Sequence, residues 1–368
     1  MPDPTVPVSA ADRLLVIRLG AVGDVLRTLP ALHLIRRTYA SVHVSWIVED
    51  LSRDLLEGHP EIDQLIRFPR REFEAEARRP HRLAAEFRNF GRELRRHRFT
   101  ISVDFQGSLK SGILSLLSGA KARLGFAPGH AREMSSLFAN RWVRPRTRWM
   151  NRVERNLLMS EALGASGDEI IMNLPETEAE GREAETILRE VATEGQPLVV
   201  LSPGTSQRQA DKRWPVERFA RLATHLHQRL GAVPLVAWGP GEEGMASGIV
   251  RTSGGAAVLP PAIGLRALAA LLRRASLFVG ADTGPMHLAW GVGCPVVALF
   301  GPTDPRLNGP LGENHIVLRA DRTTDAISTD EVFGAARDAL ERSGGRMRTE
   351  APRLSRSSVF STRAGGDA

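Results

Sequence analysis

Cysteine occurs once in the 368 residues, at position 294, so the chain can form no internal disulfide and no thiolate zinc site, and Cys294 reads as packing. No stretch approaches the roughly 20 consecutive apolar residues of a membrane-spanning helix. The opening MPDPTVPVSAADR puts acids and prolines where a secretory leader needs a basic patch and an apolar core, which predicts a cytoplasmic protein. Asp-x-Asp is absent, and no His/carboxylate cluster has metal-ligand spacing, so no metal and no other cofactor is expected. The missing G-x-G-x-x-G removes a dehydrogenase reading. Tyrosine occurs once and the basic runs lack interleaved aromatics, which gives a nucleic-acid partner no support.

Lysine is scarce as well, three against 46 arginines, and the net charge of +7 is uneven. Residues 1–175 hold 27 basic and 20 acidic side chains, a difference of +7, whereas residues 176–368 hold 22 of each. The excess is densest over residues 67–98 and 121–155. Such a surface suits an anionic partner, although a solvated helix face gives the same pattern.

Short apolar runs alternate with helical periodicity throughout. Strands are predicted at residues 14–18, 42–48, 65–68 and 101–104, with a helix over 25–38. The pattern restarts after a Glu-rich helix at about 176–194, with strands at 198–202, 235–238, 256–259, 277–280 and 296–300. Helices are predicted at 242–252 and 265–274, from 284 onward, and at 329–343. This alternation predicts an α/β protein of two tandem doubly wound, Rossmann-like domains, 1–175 and 176–345, with an interdomain cleft, and a disordered tail over 346–368. Ligands of such sheets bind beyond the carboxyl ends of the strands.

The segments with distinctive chemistry fall there. Arg18-Leu-Gly20-Ala-Val-Gly23-Asp24 follows the first strand, and Asp24 is either an N-cap or a carboxylate suited to take a proton from a hydroxyl. Ser202-Pro-Gly204-Thr205-Ser206 follows the first strand of the second half, with Lys212-Arg-Trp214-Pro215 behind it. Hydroxyls and an ammonium in that position suit a leaving diphosphate. In Asp282-Thr283-Gly284-Pro285-Met286-His287 a helix begins at Gly284, and its positive end is a backbone anion site. Thr283 adds a donor and His287 lies in the first turn, where either can reach a phosphate; Asp282 is expected to orient the turn by bonding its amides. The Phe300-Gly-Pro302-Thr303-Asp304 loop reads as a rigid turn, and Glu242 and Glu243 follow another strand, where an acid can bind a ribose diol.

These segments, together with Asp104-Phe-Gln106-Gly-Ser108-Leu-Lys110-Ser111, resemble the bacterial heptosyltransferases of glycosyltransferase family nine over residues 12–345. The resemblance implies a GT-B fold, an acceptor-binding first domain, a donor-binding second domain, and inverting, metal-independent transfer from ADP-heptose to the Kdo/heptose region of the lipopolysaccharide inner core. It gives Asp24 and Lys212 catalytic roles. Thr205, Ser206, Lys212, Glu243, Asp282, Thr283, Gly284 and His287 are placed on the donor, and Gly23, Gln106, Ser108 and Lys110 on the acceptor side. The implied partners are a nucleotide sugar and an anionic glycolipid at the anionic face of a membrane. The alternatives are a GT-B enzyme with another nucleotide-sugar donor or a protein acceptor, and a non-catalytic nucleotide-binding protein.

Overall fold

Leu14, Leu15, Val16 and Ile17 are wholly buried, as befits a strand with neighbours on both edges and helices on both faces. They belong to β1 (Arg13–Ile17), at the centre of a six-stranded parallel sheet in a computed structural model that describes residues 5–76, 78–192, 195–205, 207–344 and 354–355. Ser206 and nearly all of the tail expected to be disordered lie outside the described residues. The chain divides into two compact units, Met1–Asn173 and Leu174–Ala368. Among the described residues no helix is long and apolar enough to cross a membrane.

The first unit contains β2 (His43–Glu49), β3 (Gln64–Phe68), β4 (Ile101–Asp104), β5 (Ala122–Phe126) and β6 (Arg141–Val143), and its order is β3-β2-β1-β4-β5-β6. A two-residue strand, β7 (Glu169–Ile170), lies outside that sheet. β5 and β6 were not predicted. β5 carries Arg123 and Gly125 within an apolar run, and β6 is a three-residue edge strand with Trp142 38% exposed, so neither shows the buried-strand pattern. The single helix predicted over 25–38 is two, Val22–Leu26 and Leu29–Thr38. Pro30 explains the break: it has no N–H for the carbonyl four residues back, and it suits the first turn of a new helix.

The second unit holds β8 (Leu198–Ser202), β9 (Val233–Val236), β10 (Leu277–Ala281), β11 (Val296–Phe300) and β12 (His315–Arg319), all parallel, in the order β12-β11-β10-β8-β9. The strand expected at 256–259 is a single bridge between Leu235 and Val258. β12 escaped prediction because it is a half-exposed edge strand. Among the described residues capping boxes begin four helices, with Ser108/Ser111, Asn151/Glu154, Thr177/Glu180 and Ser328/Glu331 as the reciprocal pairs. Each such cap contributes about 0.5–2 kcal/mol. Trp214 is buried edge-on against Phe219 and donates its indole N–H to the Ile327 carbonyl at 2.9 Å. It follows the short 3-10 turn Gln207–Lys212, whose last residue, Lys212, is itself buried.

Candidate active site

In each sheet the strand order reverses at one place, between β1 and β4 in the first unit and between β8 and β10 in the second. At such a switch point the two following connections leave toward opposite faces, and their divergence opens a crevice beyond the carboxyl ends. Four of the segments singled out in the sequence follow these four strands, whereas Glu242 and Glu243 follow β9 and the Phe300 loop follows β11.

Past β1, Asp24 is not an N-cap. Ala21 holds that position, without a side-chain bond, and Asp24 is the third residue of the helix Val22–Leu26. Its carboxylate pairs with the Arg18 guanidinium at 2.8 Å and with Arg27 one helical turn on. Burial pushes the Asp24 carboxyl up, but the charges of Arg18, Arg27 and Arg152 outweigh it and hold the group well below the usual carboxylate range. Gly23 is buried beside it, and its carbonyl accepts from Arg27 Nε at 3.1 Å.

Past β4, Asp104 organises the loop that resembles the acceptor segment. Its Oδ1 accepts the N–H groups of Gln106 at 3.0 Å and Gly107 at 2.9 Å, and its Oδ2 accepts from Ser111 Oγ at 3.0 Å. Gly107 sits at φ +67°, where a side chain would be strained, and its carbonyl accepts the Arg132 N–H at 2.7 Å. Burial pushes Asp104 up to about 6 despite the bonds from Gly107, Ser111 and Gln106 and the charge of Arg18. The folded state therefore holds this proton more tightly than the unfolded chain, and the linked stability is lost as pH rises from 3.8 to about 6.

Two openings flank this loop, and Gln106 lines both. One is a cavity of about 340 Å³ lined by Gly20, Glu49, Ser52, Ser108, Lys110 and Glu133 among others. The other is a pocket where Arg18, Arg132, Arg152 and Arg155 converge with His130. Burial lowers Arg155 to about 10, with Arg152, Arg18 and Arg132 adding to the effect. Four guanidinium groups around one pocket give it a positive potential. Residues 121–155 stood out in the sequence only as a charge run. The convergence of these arginines was not visible there, because they come from the residue just past β1, a loop and the helix Arg152–Glu161.

In the second unit the fold brings Lys212, Asp282 and His287 together beyond β8 and β10. Lys212 Nζ donates to both the Asp282 carbonyl and Oδ2, each at 3.0 Å. His287 Nε2 lies 3.2 Å from Asp282 Oδ1, and Asn308 Nδ2 donates to Oδ2 at 3.2 Å. All three principals are under 9% exposed. The Asp282 carboxylate, expected to bond turn amides, is gripped here by side chains, and Lys212 is a neutralised buried cation rather than a bare one. Thr205 Oγ1 accepts from Arg213 Nε at 2.9 Å. Thr283 holds the N-cap position of the helix Gly284–Gly291 and is half-buried, as are Gly284 and Pro285.

Glu243 is exposed at the start of its helix, whereas the neighbouring Glu242 turns inward. Glu242 Oε2 accepts the Gly239 N–H at 2.9 Å, and the carboxylate packs so closely on Gly204 that an added Cβ would overlap it. The acid at the β8 end is therefore Glu242. Among the described residues no group of three or more His, Cys, Asp or Glu side chains is placed to hold a metal ion.

The chain matches the family described as glycosyltransferase family 9 (heptosyltransferase) over residues 87–332. It belongs to that family. It is 30% identical to lipopolysaccharide heptosyltransferase 1 of Pseudomonas aeruginosa over 312 residues, 84% of each chain. Among solved structures, the E. coli heptosyltransferase WaaC with ADP superposes with a TM-score of 0.71 at 27% identity, covering 90% of this chain and 99% of that one. The same enzyme with ADP-2-deoxy-2-fluoro heptose gives 0.70 at 27% identity, with coverages of 89% and 99%. The chain is a family 9 glycosyltransferase with the GT-B fold, as the resemblance implied. In this glycosyltransferase Asp24 and the Arg18 that clamps it stand at one switch point, and Lys212 with Asp282 at the other.

Proposed function

We propose that this glycosyltransferase transfers heptose from ADP-heptose to an anionic sugar of the lipopolysaccharide inner core, with inversion and without a metal ion. The observation that carries the reading is the placement of an ionised carboxylate, Asp24, beside an arginine-lined pocket at one switch point, with a buried Lys212–Asp282 cluster at the other. The relatives named above are heptosyltransferases, one of them solved with ADP and with a fluorinated ADP-heptose.

The acceptor hydroxyl loses its proton to Asp24 as its oxygen bonds the anomeric carbon and the bond to the diphosphate breaks, releasing ADP. A single displacement of this kind inverts the anomeric centre. Charge on the departing diphosphate is met by the Lys212 ammonium, the hydroxyls of Thr205, Ser206 and Thr283, and the positive end of the helix at Gly284. His287 and Asp282 hold Lys212 in place, and Glu242 or Glu243 supplies an acid for the ribose. Gly23, Gln106, Ser108 and Lys110 lie on the acceptor side.

Calorimetric titration with ADP-heptose, UDP-sugars and GDP-sugars, with and without EDTA, tests the donor. Selective binding of ADP-heptose that survives EDTA, followed by transfer to a Kdo-bearing acceptor, is the expected result. Preference for a uridine or guanosine sugar, or loss of transfer in EDTA, would overturn the corresponding part. Gly204→Ala is expected to push Glu242 out of its seat and weaken ADP binding about tenfold or more, read in the same titration. Arg155→Gln is expected to raise the acceptor KM roughly 10- to 100-fold with ADP-heptose affinity unchanged, since a hydrogen bond to a charged group is worth about 1.5–3 kcal/mol.

The arginine excess of the first unit also suits an anionic membrane surface, where each basic side chain adds about 1 kcal/mol and salt screens the contact. Co-sedimentation with phosphatidylglycerol vesicles should fall as salt rises; binding indifferent to salt would discard peripheral attachment.

A further inference from the structure

The cavity of about 340 Å³ in the first unit has chemistry unlike that of the arginine pocket next to it. Its charged lining consists of Glu49, Glu133, Arg70 and Lys110, two anions and two cations. Both cations are paired with Glu49, which lies 3.0 Å from Arg70 and 3.6 Å from Lys110. Glu133 accepts the Leu109 N–H at 3.2 Å and is held at φ 50°, an uncommon conformation for a residue with a side chain. An incoming anion would meet two carboxylates and find no surplus of positive charge.

Ser52 points to what the cavity does take. It is 1% exposed and lines the cavity, yet among the described residues its Oγ has no hydrogen-bond partner. Buried hydroxyls are ordinarily paired, and an orphan facing an opening is completed by whatever enters it. Gly20 leaves room there, since a Cβ at that position would lie 3.8 Å from both Ser52 Oγ and a Glu49 oxygen. Around that point stand acceptors (Glu49, Glu133), donors (Lys110, Arg70), groups of both kinds (Ser108, Gln106) and the apolar side chains of Leu19 and Leu51. A mixture of donors and acceptors beside a small apolar patch, with no net charge, matches the hydroxyl-studded edge and C–H face of a sugar ring.

We propose that this cavity is a subsite for an uncharged, polyhydroxylated sugar ring of the acceptor, separated by Gln106 from the arginine pocket that takes the acidic group. The inference rests on the reading that the first unit holds the acceptor. Ser52 and Glu133 bond the ring hydroxyls, and the balanced charges reject a sugar acid from this cavity.

Saturation-transfer NMR on the full chain tests the subsite, with methyl α-mannopyranoside as the neutral probe and methyl α-galacturonate as the charged one. The neutral glycoside is expected to bind in the millimolar range, and Ser52→Val and Glu133→Gln should each weaken it about tenfold while melting at the wild-type temperature. Arg155→Gln should leave it unchanged and weaken only the uronate. Absence of neutral-glycoside binding, wild-type binding by both cavity variants, or displacement of the neutral probe by the uronate would overturn the subsite. A wild-type chain that binds the neutral glycoside but transfers nothing from ADP-heptose would keep the subsite and sink the reading it builds on.

Discussion

Replacing Asp24 by alanine is expected to cut turnover by about 10²–10⁴-fold, the usual cost of losing a general base, with ADP-heptose affinity unchanged. Asn in its place should be as inactive, because the amide keeps the shape but cannot take the proton. Turnover within about tenfold of wild type would remove Asp24 from the chemistry. The paired guanidinium groups of Arg18 and Arg27 also fix the pH behaviour. They hold the carboxyl well below its ordinary range despite its burial, so Asp24 stays ionised at any pH above about 4, and kcat/KM should show no acid limb from it there. Its contribution to folding is likewise present above that pH and is lost as pH falls through the depressed value; Asp24→Asn should therefore lower the melting temperature at pH 7. So acidic a carboxylate is a poor base while both arginines grip it. Arg18 also lines the arginine pocket, so an acidic acceptor group drawing on Arg18 would loosen the clamp and make Asp24 more basic. An acceptor analogue lacking that acid should accordingly lose kcat as well as affinity, a split that steady-state kinetics reads directly.

The strands that position Asp24 and Lys212 could be read from sequence because a buried parallel strand writes itself as an unbroken apolar run, as in Leu198–Ser202, followed by glycine and small polar residues. What lay between such runs was harder. β5, β6 and β12 carry charge or exposure and were missed, and Pro30 split a helix that periodicity alone drew as continuous. At the site, sequence located segments and not directions. Glu242 and Glu243 are adjacent, yet one residue is roughly 100° of helical turn, enough to put one acid on Gly204 and the other in solvent. The bond between Lys212 and Asp282 spans 70 positions of chain, and no local pattern encodes it. Asp104 illustrates the same limit: its motif was visible, but its burial, and with it a carboxyl raised to about 6, follows from packing.

Lys212→Ala is expected to be damaging twice over, and the two losses can be separated. The first is catalytic: removing a positioned charge that meets a leaving diphosphate costs about 10²–10³-fold in kcat. The second is structural. Lys212 and Asp282 are both buried, and the ammonium spends two of its three N–H donors on Asp282. Deleting one partner strands the other's charge away from water, at about 3–5 kcal/mol. For a unit of this size each kcal/mol moves the melting temperature by about 2–4 °C, so a drop of roughly 6–20 °C should accompany the activity loss. Lys212→Met combined with Asp282→Asn removes both charges and leaves similar volumes, so its melting temperature should return close to that of the wild-type chain. Its activity should not return, because the ammonium that meets the diphosphate is gone. Recovery of both would make Lys212 a structural counter-ion alone, and charge neutralisation would pass to the helix at Gly284 and the hydroxyls of Thr205 and Thr283. Recovery of stability alone would fix the ammonium as the group that takes the leaving charge, with Asp282 its positioning partner.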